Sequence, residues 1–123
     1  MNHDLKARRK RFALNIISLV KELPNNKVAD VLGKQLLRSG TSVAANYRAA
    51  CRARSLAEFI SKIGIVEKES DEFVLWLDLI KESDTHKSVL LEELLKESSE
   101  LTAIFTRSGK TAKENKSKSK TAK

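Results

Sequence analysis

Residues 35–59, QLLRSGTSVAANYRAACRARSLAEF, decide the fold of this chain. Leu36, Val43, Tyr47 and Cys51 recur at the spacing of one helical face. Between them lie Ser39, Gly40, Thr41, Ser42, Ala44, Ala45, Ala49 and Ala50. Side chains this small let a neighbouring helix come close. Arg38, Arg48, Arg52 and Arg54 are set among them, so fixed positive charge lies beside a tight packing seam. Gly33 and Gly40 each cost about 1 kcal/mol against alanine inside a helix, and two such costs imply close approach by a neighbour.

Working outward, the apolar stripe of this second helix extends back through Leu32, Val31 and Val28, giving a helix over about 27–53. Upstream, Leu5, Phe12, Ile16, Leu19 and Leu23 define a first helix over about 4–23, with Ala13, Ile17 and Val20 widening its face. Asp4 is the expected N-cap, and Pro24 with Asn25 and Asn26 ends the helix. Downstream, Ser55-Leu56-Ala57-Glu58 has the form of a capping box. It opens a third helix to about Ser83 with a buried stripe of Leu56, Phe59, Ile63, Val66, Phe73, Leu77 and Ile80. Ile65, Leu75, Trp76 and Leu79 lie off that stripe and are the expected oligomer interface. A polar break at 83–86, with Asp84 or Thr85 as cap, leads to a fourth helix ending near Arg107, its core face carrying Leu90, Leu94, Leu101 and Ile104 or Phe105. Long helices joined by short turns make consecutive helices antiparallel neighbours. The expected fold class is therefore all-α: an antiparallel up-down-up-down four-helix bundle in residues 1–108, with apolar surface left over for assembly.

The 123 residues suit one core, and aromatics make up only 5% of them, so that core is aliphatic. Net charge is +8, of which residues 109–123 hold +5 in six lysines and one glutamate. This segment has no large apolar residue and is expected to be a disordered basic tail. One cysteine, Cys51, allows no internal disulfide and fits a reducing cytoplasm; it is expected to be a small buried packing residue. No secretory leader is evident, and no run of about 20 apolar residues is present to span a membrane.

Catalytic patterns are lacking. A di-metal carboxylate bundle needs Glu-x-x-His pairs, whereas His3 and His86 each lack a glutamate three residues earlier. Phosphate-loop glycines are absent, and no histidine is placed to serve a serine or cysteine nucleophile. The expectation is a non-enzyme without cofactor or metal. Arg38, Arg48 and Arg52 fall within about 80° of one helix face. Lys6, Arg8, Arg9, Lys10 and Arg11 cluster near the start. Together these eight are the candidate nucleic-acid contacts, through phosphate and without sequence readout. The competing reading pairs the helix-2 arginines with the carboxylate strip Glu67, Asp71, Asp78 and Glu82 of the third helix.

The run SGTSVAANYRAACRARSLAEF, followed by DEFVLWLDLI at 71–80, resembles bacterial four-helix-bundle proteins. These are the relatives of the 23S ribosomal RNA intervening-sequence proteins and of the accessory variability protein of diversity-generating retroelements. The resemblance spans about Phe12 to Phe105. Ser42, Val43, Asn46, Arg54, Ser55, Glu58 and Phe59 match the family pattern S-I-P-S-N-I-A-E-G, then R-S, then E-F. Ala44 replaces its proline, Ala49 its glutamate and Ala50 its glycine, and Arg48 is added. The resemblance implies a homopentameric ring, RNA or DNA as partner and, for a retroelement role, work beside a reverse transcriptase. The rival reading is a protein-interaction scaffold without a nucleic-acid role.

Overall fold

In a computed structural model, which describes the backbone of residues 2–121 and the side chains of residues 5–119, four helices follow one another in chain order. They are α1 (Asn2–Glu22), α2 (Lys27–Cys51), α3 (Leu56–Glu82) and α4 (Val89–Thr121). Each helix touches the next, and α1 also touches α4, while neither diagonal pair packs extensively. This closed circuit of neighbours is the four-helix bundle that the spacing of apolar residues predicts. The described residues contain no strand.

Local chemistry sets the helix ends. Asn26 caps α2, its Oδ1 accepting the Ala29 N–H at 2.9 Å. Ser55 caps α3, its Oγ accepting the Glu58 N–H at 3.0 Å. Glu58 reaches back as the box requires, though to the Arg54 N–H at 3.3 Å, one residue before the cap. The α3–α4 connection departs from expectation. Asp84 and Thr85 do not open α4; they close α3. Asp84 takes φ 57°, and the N–H groups of Asp84 and Thr85 return to the carbonyls of Lys81 and Ile80. That is a Schellman termination, with aspartate in the left-handed position where glycine is commoner. Ser88 then caps α4, accepting the Leu91 N–H at 3.1 Å. Asp4, the expected cap of α1, instead falls in its first turn, and its side chain lies outside the described residues.

The core is aliphatic with a few rings. Phe12, Ile16 and Leu19 from α1 meet Leu36, Val43 and Tyr47 from α2. Ile63, Val66, Phe73, Leu77 and Ile80 come from α3, and Leu91, Leu94, Leu101 and Phe105 from α4. Five small residues of α2, Ala29, Gly33, Ser39, Gly40 and Ala50, are buried. A Cβ at Gly40 would collide with Ile16 Cδ1 and stand 3.0 Å from Phe73 Cε1, so glycine here is what lets α1 and α3 close on α2. Phe73 in turn meets Phe12 edge-on at 5.0 Å.

Because this inner seam is small, several larger residues expected in the core are outside it. Val28 and Val31 are 55% and 56% exposed, and Ile17 and Cys51 are exposed as well. On α2 the inward places are held by Ala29, Gly33, Ser39 and Ala50.

The boundary expected at residue 108 is not an end in the structure. Beyond Arg107 the chain stays helical to Thr121. Alanine, lysine and glutamate in this stretch are good helix formers. Gly109 and Ala112 are buried against α3, where a Cβ at Gly109 would strike the carboxylate of Glu67. The expected basic tail is thus, through Thr121, the last turns of α4.

Alternating direction brings the starts of α1 and α3 and the ends of α2 and α4 to one end of the bundle. Residues 5–13, 48–58 and 107–119 lie towards that end and hold thirteen lysines or arginines and two glutamates. Residues 21–38 and 67–97, in the middle and at the other end, hold eight cations and twelve carboxylates. The bundle therefore has a basic pole. Among the described residues no helix is long and apolar enough to cross a membrane.

Candidate nucleic-acid interface

The eight expected phosphate contacts separate into two groups. Arg38 is held by α3. Its Nη1 donates to Glu69 Oε2 at 3.2 Å and its Nη2 to Glu72 Oε1 at 2.9 Å, while its Nε donates to Gln35 Oε1 at 3.1 Å. The hydrogen bond with Glu72, more than any other cause, raises its pKa above arginine's ordinary value. The carboxylates that clasp it are not the expected strip. Glu69 and Glu72 flank buried Ser70 and Phe73 and so face α2, whereas Asp71, Asp78 and Glu82 are exposed and Glu67 folds over Gly109. Arg8 is also occupied: its Nε donates to Glu97 Oε2 at 3.0 Å, joining α1 to α4. Arg11 lies near this pair, beside Glu93 and Asn15.

The second group is open. Lys6, Arg9 and Lys10 on α1, with Arg48 on α2 and Arg52 at its C-cap, line a groove between the two helices. None of the five takes part in an ion pair among the described residues. Thr41, Ala44 and Ala45, with Ala13 of α1, form the floor of the groove. The spacing explains the arrangement. On α1, Lys6 and Lys10 are four apart, as are Arg9 and Ala13, and Arg48 lies four residues before Arg52, the C-cap of α2. Among the described residues no carboxylate lines the groove. Guanidinium and ammonium groups thus stand over a floor of small side chains, an arrangement that is able to take phosphate oxygens.

At the basic end the groove deepens into a hollow of about 190 Å³ lined by Lys6, Arg9, Tyr47, Arg48, Cys51 and Arg52. Tyr47 was expected only as a core residue. It is buried, its ring tilted against Phe105 at 5.1 Å, yet it also forms part of this wall. Burial pushes its hydroxyl up to about 12; Cys51 acts in the same direction and Arg9 opposes it. The signal for Tyr47 at the site was its position one residue before Arg48 and four before Cys51.

The expected interface residues also divide. Ile65, Leu75 and Leu79 are 39%, 49% and 37% exposed and lie within about 80° on the outer side of α3. Trp76 instead turns in and packs against the core, because it stands three residues after Phe73 and four before Ile80. Its Nε1 is buried without a hydrogen-bond partner among the described residues. His86 sits far from the basic pole, with Nε2 2.9 Å from Glu22 Oε1.

Fold and site together define a helical bundle with one cationic pole and an unpaired basic groove. The family model for 23S rRNA-intervening sequence proteins matches residues 2–107, and the chain belongs to that family. A crystal structure of a protein of unknown function from the S23 ribosomal protein family of Bacteroides thetaiotaomicron is similar, with a TM-score of 0.77 and 36% identity. The similarity covers 85% of this chain and 97% of that one. No curated protein matches the chain.

Proposed function

We propose that this protein is a self-assembling, non-enzymatic bundle that binds RNA or DNA in the cytoplasm through backbone phosphates and serves a nucleic-acid process. The observation that carries this reading is the groove itself. Five cations converge there without a carboxylate among the described residues, while Arg8 and Arg38 are neutralised elsewhere. A structural role would predict partners for the convergent set as well. The family's name, which ties it to an intervening sequence of 23S rRNA, supports RNA as the first substrate class to test.

The exposed Ile65, Leu75 and Leu79 support assembly of copies, for which the family resemblance suggests a pentameric ring. Such a ring repeats the basic pole in every subunit and focuses its potential. A reverse transcriptase acting on the bound strand is the protein partner this reading carries. The same apolar strip also supports a second reading, in which it docks a different protein and the charges only keep the bundle soluble.

Fluorescence anisotropy with mixed-sequence RNA tests the first reading. Affinity falls linearly with salt on a log-log plot, with a slope of about −0.7 per phosphate neutralised on single strands. Absence of binding at low salt removes it. Recovery of one dominant protein after nuclease treatment, together with that absence, establishes the scaffold reading instead.

A further inference from the structure

The basic groove does not run through the molecule at uniform depth. Between α1 and α2 it drops into the hollow of about 190 Å³. The hollow is smaller than the adjoining groove and has room for a phosphate group, which suits a compact end group.

Charge points the same way. Four of the six lining residues, Lys6, Arg9, Arg48 and Arg52, are cationic, and no carboxylate is among the six. An internal phosphodiester carries one negative charge and exposes two free oxygens. A terminal phosphomonoester carries about −1.5 to −2 at pH 7 and three acceptor oxygens. Four convergent cations match the second better. Arginine forks engage such oxygens in pairs. At the wall, Tyr47 is fixed by its contact with Phe105, and its hydroxyl stays protonated across the physiological range, so it can donate to an oxygen that has no carbon substituent.

Building on the nucleic-acid reading above, we infer that the hollow between α1 and α2 is a binding site for the terminal phosphomonoester of a nucleic-acid strand. The open groove then holds the adjoining backbone, and the protein engages strand ends in preference to strand interiors. A 5′-phosphate and a 3′-phosphate offer the same end group, and the two are separated by experiment.

The test uses the full chain and one short mixed-sequence RNA in three forms: 5′-phosphate, 3′-phosphate, and hydroxyl at both ends. Anisotropy at about 100 mM salt gives the affinity ratio between phosphorylated and hydroxyl forms. One phosphorylated form binds about tenfold tighter, which names the end that enters. Cys51→Phe fills the hollow from an exposed position and brings the ratio to about one. Tyr47→Phe keeps the ring and lowers the ratio. Circular dichroism confirms that both variants are folded. Equal affinity for all three RNAs overturns the end site and leaves groove binding standing. A ratio that survives Cys51→Phe places the end elsewhere and also overturns it. Failure of every RNA to bind removes the nucleic-acid reading and this inference together.

Discussion

Arg38 stands within α2 and Arg52 caps its C-terminus, and the two face opposite surroundings. Around Arg38 the bundle is rich in carboxylates, and Glu69 and Glu72 close on the guanidinium. Around Arg52 the neighbours are Lys6, Arg9 and Arg48, and no acid reaches it among the described residues. Helix periodicity says which residues share a face. It does not say what the facing helix presents there, and that decides whether a cation is spent on structure or left for a ligand. An unpaired cation among like charges is destabilising in a bare protein, which is why an accumulation of them marks a surface awaiting an anion.

The most severe challenge to this contrast is charge reversal at the open end. Arg48→Glu with Arg52→Glu lowers RNA affinity by at least about 100-fold, or about 2.7 kcal/mol, in low-salt anisotropy. A loss below about threefold breaks the contrast. Next is Gly40→Val, which forces a branched side chain between Ile16 and Phe73. It destabilises the bundle by about 1–3 kcal/mol in chemical denaturation. An unchanged midpoint would mean that α1 and α3 do not depend on the small seam.

Arg38→Ala sharpens the comparison from the other side. It leaves the denaturation midpoint nearly unchanged, as loss of an exposed pair does, and changes RNA affinity by less than about threefold. The last test concerns Tyr47. Its hydroxyl is raised from an ordinary 10.0 to about 12, so the folded state favours the protonated form. That contribution is complete below pH 10 and is lost as pH rises from 10 to 12. Tyr47→Phe therefore shows a shallower fall in stability across that window than the unsubstituted protein, read by thermal melts at a series of pH values.

Much of this architecture was legible in residues 35–59. Leu36, Val43 and Tyr47 marked the buried side of α2, and the density of glycine, serine and alanine announced the close packing seen at Gly40. The capping serine at 55 and the turn at Pro24 placed two helix ends within about a residue. What could not be read came from competition between faces. Val28 and Val31 look like core by hydrophobicity, but Ala29 and Gly33 hold the inner positions because only small groups fit against Val20 and Leu23. Trp76 looked peripheral on a helical wheel, yet its long indole reaches inward from the edge of the stripe. The helical course of 109–121 was hidden because composition alone suggested a solvated tail, while burial of Gly109 and Ala112 depends on α3 being alongside. For the site, the cations were evident. Their division into clasped and open sets was not, since Glu69, Glu72 and Glu97 are distant in the chain.

The alanine floor of the groove has a further consequence. Thr41, Ala44 and Ala45 carry only short stubs, so the channel owes its depth to missing atoms as much as to the cations on its rims. Shape and charge can consequently be altered one at a time. Paving the channel with leucine at 44 or 45 would bar a polymer while leaving every ammonium and guanidinium in place.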